Sequence, residues 1–312
     1  MLDYVKIHLK DIEIPHLLNL EVLDFKIIVS TKTGTISTMK VAEYHFCNII
    51  IYDSGLVLFT GSIHKLWNSL NNVYAPNYKP LTNNQIEKGI KSTYKGFNGN
   101  TFTLNDIIEV RDNLTNLLKL PPQKMFFQNI EIGVNVALNY NPFNYLKGLL
   151  YHKNIMFEYR FKRNYAEALH SYYKFKIYNK SSQYKMSEHT LRVELQIKKM
   201  EEIKSIGINA FTDINSDTLN KAKQKLLSRF DEVVHYDYTI NEKSLKRTQK
   251  DNLKKYSNPR YWIDILKPNH RFRHKEILQE ITFKNSNNLH ENIKNNIVQK
   301  CSILNRLFEL RL

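Results

Sequence analysis

The chain has 312 residues, of which 42% are hydrophobic, so it is long enough and apolar enough to bury a sizeable core and should be globular. Lysine and arginine outnumber aspartate and glutamate by 46 to 30, and the formal net charge of +16 is spread along the whole chain. This balance favours a polyanionic partner, first nucleic acid and second an anionic membrane surface, although a basic charge also serves solubility alone.

Three absences in the sequence narrow the classes of function. The two cysteines, Cys47 and Cys301, lie far apart without metal-ligand spacing, which argues for a reducing compartment and against zinc or a disulfide framework. The longest apolar run, Ile49–Tyr52, is too short to span a bilayer, so we expect a cytoplasmic protein with no membrane partner. No GxxxxGK[ST] loop is present, so no nucleoside triphosphate is expected as a partner.

The first third of the chain is predicted to be mainly β-structure, followed by two helices. Apolar and polar residues roughly alternate from Leu2 to Leu9, and Asp53-Ser54-Gly55 supplies a hairpin turn further on. The other elements predicted here are the strands Phe25–Ser30, Ala42–Tyr52 and Leu56–His64 and the helices Asn83–Lys95 and Leu104–Leu118.

The middle of the chain is rich in strands, and the last third is helical and strongly basic. The predicted elements are a strand Lys124–Asn139, a helix Asn144–His152, strands Phe157–Phe161, Tyr172–Asn179 and Thr190–Lys198, and helices Asp217–Phe230, Glu242–Tyr256, Arg271–Phe283 and Leu289–Leu310. This order predicts an α+β fold with helices packed on a mainly antiparallel central sheet, plus a helical C-terminal region. We place the boundary near Gly207, with a catalytic α+β domain over residues 1–206 and a helical, basic region over residues 207–312.

Three of these strands alternate apolar residues with polar residues that carry chemistry. Since successive side chains of a strand point to opposite faces, each strand has one apolar and one polar face. The polar faces carry Glu131, Gly133 and Asn135 on the first strand, Lys176, Tyr178 and Lys180 on the second, and Arg192, Glu194 and Gln196 on the third. Folded into one sheet, they would place two carboxylates, a tyrosine and several cations side by side.

The two glutamates are candidate ligands of a divalent cation. Carboxylate oxygens suit Mg²⁺ or Mn²⁺, which bind through one or two carboxylates together with substrate phosphate and water. A cation held by Glu131 and Glu194 would polarise a phosphate group. The alternative is that both carboxylates line the wet face of an antiparallel sheet, paired with Arg192 or a lysine.

Tyr178 is a candidate nucleophile, and His64 is a candidate metal ligand, general acid or phosphate contact. A phenol attacks poorly near neutral pH unless a cation such as Lys176, Lys180 or a metal stabilises its phenolate. His64 is predicted to share a strand face with Ser62. In the alternative, Tyr178 is an ordinary strand aromatic and His64 a structural residue. Tyr172 and Tyr173 compete with Tyr178 for the catalytic role.

These motifs together resemble a known family. The matching elements are Gly61-Ser62-Ile63-His64-Lys65, Ile130-Glu131-Ile132-Gly133-Val134-Asn135, Lys176-Ile177-Tyr178-Asn179-Lys180, Leu191-Arg192-Val193-Glu194, Gly207-Ile208, Phe211-Thr212-Asp213 and Asn258-Pro259-Arg260-Tyr261-Trp262. Their order resembles that of rolling-circle replication initiators of plasmids and single-stranded DNA phages, particularly the gene II-like and Rep-trans-like nicking endonucleases related to the HUH superfamily. The resemblance covers roughly residues 40 to 270.

The resemblance implies a function and a role for each site residue. Tyr178 would cut one strand of origin DNA, keep the 5′-phosphate and leave a 3′-hydroxyl for a host polymerase, with a host helicase as a further partner in the host cytoplasm. Lys180 would assist the tyrosine, Glu131, Glu194 and His64 would hold Mg²⁺ or Mn²⁺, and the cations expected to contact DNA are Lys65, Lys174, Lys176 and Arg192. The chain lacks the His-hydrophobic-His motif of better-known relatives, and its carboxylates are similar to those of the permuted branch of the superfamily.

Two other functions remain open from the sequence. A non-catalytic, sequence-specific origin-binding protein would use basic helices such as Leu104–Leu118 to contact phosphates. An RNA-binding protein is compatible with the charge and with the 19 tyrosines and 16 phenylalanines, but no RNP-like motif supports it.

Overall fold

A computed structural model describes residues 1–29, 34, 36–87 and 96–306 of the chain. It contains, in this part, thirteen strands. In chain order they are β1 (Leu2–Leu9), β2 (Lys26–Val29), β3 (Ile36–Tyr44), β4 (Cys47–Tyr52), β5 (Val57–Ser62), β6 (Met125–Ala137), β7 (Leu149–His152), β8 (Ile155–Met156), β9 (Glu158–Arg160), β10 (Tyr165–Leu169), β11 (Tyr173–Asn179), β12 (Thr190–Ile197) and β13 (Val233–His235).

Ten of these strands form one antiparallel sheet in the order β2-β3-β4-β5-β1-β6-β12-β11-β10-β9. The first strand of the chain therefore lies in the interior of the sheet, between β5 and β6. The alternation along β6 explains its placement, because Ile130, Ile132, Val134 and Val136 all turn into the core. The remaining strands form a small sheet in the order β13-β7-β8.

The described part of the chain also contains ten α-helices. They are α1 (Ile14–Leu18), α2 (Ile63–Leu70), α3 (Asn83–Glu87), α4 (Leu104–Leu118), α5 (Phe143–Leu146), α6 (Lys180–Tyr184), α7 (Ser216–Asp231), α8 (Arg247–Tyr256), α9 (Arg271–Asn285) and α10 (Leu289–Leu304). Short 3₁₀ turns cover Pro122–Lys124, Met200–Ile206, Phe211–Asp213, Glu242–Ser244 and Pro268–His270, and Tyr261–Ile265 is a π-helical turn.

Four helices cover the apolar face of the large sheet. Helix α2 packs on β1 and α4, while α7 and α10 pack on β6 and on each other. Helix α4 begins with a capping box, in which Thr103 Oγ1 accepts a hydrogen bond from the backbone N–H of Asp106 and the Asp106 carboxylate accepts one from the backbone N–H of Thr103. The prediction of an α+β fold with helices on a mainly antiparallel sheet and a helical C-terminal region is confirmed.

The C-terminal region contributes to two separate hydrophobic clusters. Helices α7 and α10 belong to the main core together with the large sheet. Helices α8 and α9 pack with β7 and β13 around a second cluster that is centred on the fully buried Trp262 and Tyr256. The predicted boundary at residues 206 and 207 therefore does not coincide with a gap in the main core, and the division into two domains stays a prediction.

Several predicted elements differ from the structure, each for a local reason. Residues 149–152 of the predicted helix Asn144–His152 form β7, because pairing with β13 satisfies their backbone groups. The strand predicted for Leu56–His64 ends at Ser62, whose side chain caps helix α2. Parts of three predicted elements, Ser30, residues 88–95 and residues 307–310, lie outside the described residues.

Candidate active site

The register of the sheet brings the three predicted strands together. Strand β12 lies between β6 and β11, so that Glu194 pairs with Gly133 on one side and Lys176 on the other, and Arg192 lies between Asn135 and Tyr178. Residues directly opposite each other in neighbouring strands share a face. The polar residues of all three strands consequently lie on the face of the sheet opposite the covering helices α7 and α10.

Lys176 connects the two glutamates. Its Nζ lies 2.8 Å from Glu131 Oε1 and 2.9 Å from Glu194 Oε2, and the side chains of all three residues are at least about nine-tenths buried. Since one ammonium contacts both, the two oxygens lie within about 6 Å of each other, the span of two such contacts. The two carboxylates predicted to act together are therefore brought together.

Arg192 extends this network to a third carboxylate, that of Asp3. Its guanidinium donates to Glu194 Oε1 from Nε at 3.1 Å and from Nη2 at 3.0 Å, to Asp3 Oδ2 at 2.7 Å and to Asn135 Oδ1 at 3.0 Å. Gly133 allows this close approach, because a Cβ there would lie 3.0 Å from Arg192 Nη2. We call Asp3, Glu131, Lys176, Arg192 and Glu194 the ionic network.

A β-bulge explains why Asp3 reaches the polar face. Leu2 pairs with Ile132 and Val5 pairs with Ile130, so two residues of β1, Asp3 and Tyr4, stand opposite the single Glu131. Asp3 also accepts hydrogen bonds from the Ser62 hydroxyl and from Asn98 Nδ2. The sequence reasoning missed Asp3, since simple alternation along Leu2–Leu9 does not reveal an extra residue.

The network drives the pKa values of its two glutamates apart. Burial and the neighbouring Glu194 raise the pKa of Glu131 to about 8, against the opposing effect of Lys176. Burial would also raise the pKa of Glu194, but Lys176 and Arg192 hold it at about 2. Burial opposes the charge of Asp3 too, yet Arg192 keeps the pKa of that carboxyl well below its ordinary value. At neutral pH the charge of Glu194 is thus stabilised, whereas that of Glu131 is not.

Tyr178 lies at the edge of the network and borders a cavity. Its hydroxyl donates to Glu194 Oε2 at 3.4 Å, and its ring packs against that of Tyr165 on β10 with centroids 5.4 Å apart. The cavity has a volume of about 430 Å³ and is also lined by Phe161 and Asn164. Burial and the charge of Glu194 raise the pKa of Tyr178, so the phenol is neutral in this state.

Lys180 lies beyond the end of the strand, which corrects the prediction that it projects from the same strand face as Tyr178. Asn179 caps helix α6 through its side chain, and Lys180 is the first residue of that helix. Its Nζ nevertheless lies 5.3 Å from the centre of the Tyr178 ring and 5.1 Å from that of Tyr184. Burial and the charge of Arg192 lower the pKa of Lys180 to about 7, despite the opposing carboxylates.

The rival tyrosines lie elsewhere. Tyr173 is on the opposite face of β11, where its ring stacks on that of His170, and Tyr172 precedes the strand and lies beneath Lys199. The sequence did not single out Tyr165, which faces the same cavity as Tyr178 and donates to Glu167 at 2.6 Å. The pairing of β10 with β11 is what places it there.

His64 lies in the first turn of α2 and not on a strand. Its Nε2 lies 2.7 Å from Asn100 Oδ1, its ring stacks on Phe102, and burial lowers its pKa to about 3 despite the nearby Asp3. It is therefore a neutral histidine held by neighbours from the loop before α4. Lys65, the next residue, is half-buried in the same helix. Lys174 is paired with Glu167 at 3.1 Å on the polar face.

The carboxylates fit a divalent cation in donor type and spacing, but two features limit the fit. The separation of Glu131 and Glu194 is within the roughly 8 Å that sharing one ion allows. The ammonium of Lys176 lies between them, however, and no group of three or more His, Cys, Asp or Glu residues in the described ranges has the geometry of a metal site. Mg²⁺ or Mn²⁺ would need oxygen ligands from substrate or water, and Lys176 would have to move.

Comparisons with known proteins give no relative from which a role for the site could be taken. No protein-family model, curated protein or solved structure matches the chain. Among the helices that the structure describes, none combines the length and the apolar character needed to cross a membrane.

Proposed function

We propose that the protein is a replication initiator that nicks one strand of origin DNA through Tyr178 and later rejoins it. The observation that supports this most is the position of Tyr178, which lines a cavity while its hydroxyl contacts Glu194 within a network of carboxylates and cations. Perturbed titratable groups next to a cavity are typical of catalytic sites. The resemblance to rolling-circle initiators points to the same residues.

The cavity suits single-stranded DNA. Phe161 stands at its rim with 76% of its surface exposed, at the tip of the β9–β10 hairpin. Phe161, Lys162 and Arg163 all have positive φ angles, of 50°, 54° and 64°, a conformation that holds this aromatic and basic tip in a tight turn. Exposed aromatic rings stack on bases, and cations pair with phosphates, so the tip offers both contacts that single strands require.

The reaction is a transesterification. Tyr178 Oη attacks the scissile phosphorus, the bond from phosphorus to the 3′-oxygen breaks, and the 5′-phosphate becomes attached to the tyrosine. Lys180, with a pKa of about 7, accepts the phenolic proton as a neutral amine and returns it to the departing 3′-oxygen. Attack by the 3′-hydroxyl on the phosphotyrosine reverses these steps and rejoins the strand, so no nucleoside triphosphate is consumed.

The cations of the site neutralise charge that develops on the phosphate oxygens. Arg192 is held in place by four hydrogen bonds and supplies a fixed positive charge beside Tyr178. Mg²⁺ or Mn²⁺ held by Glu131, Glu194 and the scissile phosphate would polarise that phosphate. His64 holds the loop before α4 in this proposal, while Lys65 and Lys174 contact the DNA backbone outside the network.

The proposal implies partners and a location. The free 3′-hydroxyl requires a polymerase, and displacement of the old strand requires a helicase, which the host would supply for a phage or plasmid. Both act in the host cytoplasm.

Formation of a covalent adduct tests the proposal. Wild-type protein incubated with Mn²⁺ and a pool of labelled single-stranded origin oligonucleotides should become attached to the 5′ end of the cleaved product. Tyr178→Phe should lose the adduct by at least about a thousandfold, since the nucleophile is removed. Tyr165→Phe and Tyr173→Phe are matched controls, one in the same cavity and one on the opposite face, and both should keep the adduct.

The outcomes separate the candidate functions. An undiminished adduct in Tyr178→Phe would reject Tyr178 as the nucleophile. Tight origin binding without any adduct in wild-type protein would favour the non-catalytic origin-binding protein instead.

A further inference from the structure

Lys176 occupies the place that a shared cation would take. Its ammonium lies between Glu131 and Glu194 at 2.8 Å and 2.9 Å, with only 8% of the residue exposed. The other oxygen of Glu194 already accepts from the Nε and Nη2 of Arg192. A divalent ion therefore meets a carboxylate pair whose charge is already balanced by the chain itself.

Displacing this ammonium without a new partner is costly. The ammonium of Lys176 is buried and pairs with both carboxylates, so an ion that took its place would remove both partners at once. A buried charge that loses its partners strongly destabilises a protein. A divalent ion binding alone would cause this loss, and two carboxylates would provide too few ligands to compensate.

A phosphodiester removes both obstacles at once. Its oxygens complete the ligand set of the ion, and the same group offers the ammonium of Lys176 a new anionic partner. DNA and the divalent ion then stabilise each other's binding, which is a coupling between two ligands.

We propose that Lys176 acts as an internal substitute for the divalent ion, so that Mn²⁺ or Mg²⁺ binds the Glu131–Glu194 pair only together with DNA. This inference rests on the proposed function and names Lys176 as the residue that makes metal binding depend on DNA. The physiological consequence is that the site does not hold an active ion until a strand is in place.

Binding of Mn²⁺ tests the inference without any cleavage. All proteins carry Tyr178→Phe, and free Mn²⁺ is measured by electron paramagnetic resonance with and without a single-stranded origin oligonucleotide. In the protein with native Lys176, DNA should increase the affinity for Mn²⁺ at least tenfold. Lys176→Met should bind Mn²⁺ without DNA at least tenfold more tightly than native Lys176, and DNA should then increase the affinity by a smaller factor than it does with native Lys176.

Lys225→Met is the matched control, since Lys225 also pairs with a glutamate, Glu202 at 2.8 Å, but lies on helix α7 outside the proposed DNA contacts. It should behave like the protein with native Lys176. Equal Mn²⁺ affinity of native Lys176 and Lys176→Met without DNA would overturn the inference. The inference would also be overturned if DNA did not change the Mn²⁺ affinity of the protein with native Lys176. That measurement needs no variant at position 176.

The two proposals fail in different ways. If wild-type protein forms no covalent adduct, the nicking function is rejected, whatever the Mn²⁺ affinities are. An adduct that forms normally, combined with tight Mn²⁺ binding to the DNA-free protein, rejects only the role of Lys176.

Discussion

Replacing Arg192 with methionine tests whether the ionic network depends on its guanidinium. Methionine keeps much of the aliphatic volume but removes four hydrogen bonds, to Glu194 twice, to Asp3 and to Asn135. Arg192 is 3% exposed, so solvent does not replace these partners. Asp3 and Glu194 would be left buried with less compensation.

Two magnitudes set the scale of the effect. Removing one partner of a buried ion pair costs about 3–5 kcal/mol. The pKa of Glu194 lies at about 2 in the folded protein against 4.5 ordinarily, and that difference corresponds to about 3 kcal/mol, which Arg192 shares with Lys176. We therefore expect Arg192→Met to lower the free energy of unfolding near neutral pH by about 3 kcal/mol.

The dependence on pH gives the effect a second signature. Since the folded pKa values of Asp3 and Glu194 lie below their unfolded values, their charges stabilise the protein above the unfolded pKa, and this stabilisation is lost as the pH falls through the folded pKa. The difference between wild-type protein and Arg192→Met should therefore be full at neutral pH and shrink below a pH of about 4. The double variant Arg192→Met, Glu194→Gln should lose less free energy of unfolding than the sum of the losses in the two single variants.

Urea unfolding followed by circular dichroism measures these differences. Arg160→Met is the matched control, because Arg160 also pairs with a glutamate of the sheet, Glu167 at 2.6 Å, but its side chain is 55% exposed. It should cost no more than about 1 kcal/mol. A loss below about 1 kcal/mol for Arg192→Met, or a loss that does not change with pH, would refute the reasoning.

Two further predictions concern the neighbourhood of Tyr178. Because the pKa of Lys180 is lowered to about 7 from 10.5, the unfolded chain binds the extra proton between these values, and the stability of wild-type protein rises with pH in that window. In urea unfolding, the free energy of unfolding of Lys180→Met should therefore exceed that of wild-type protein most at about pH 6 and less at about pH 9. The exposed Lys185→Met is the control and should show no such dependence on pH. A difference for Lys180→Met that stays constant with pH, or an equal pH dependence for Lys185→Met, would contradict this. Phe161→Ala should weaken binding of single-stranded DNA in fluorescence anisotropy by about 1–3 kcal/mol. Phe272 is about as exposed as Phe161, and Phe272→Ala should leave binding of single-stranded DNA unchanged. Equal losses of affinity in the two variants would contradict a contact between Phe161 and DNA.

The sequence by itself determined the fold class and the polar faces of the three strands that carry most of the site. The alternation of apolar and polar residues set which face of β6, β11 and β12 is buried, because side-chain direction repeats every two residues in a strand. It also placed Glu131, Tyr178 and Glu194 on the polar faces of their own strands. These are local properties, which neighbouring residues in the chain suffice to specify.

The tertiary structure decided which of these residues meet. Register is a long-range property, and it is the pairing of β12 with both β6 and β11 that puts Lys176 between Glu131 and Glu194. The bulge in β1 added Asp3, and the Asn179 cap moved Lys180 from the strand into a helix. Burial then fixed the electrostatics: burial and the charge of Glu194 raise the pKa of Glu131 to about 8, whereas Lys176 and Arg192 together hold that of Glu194 at about 2.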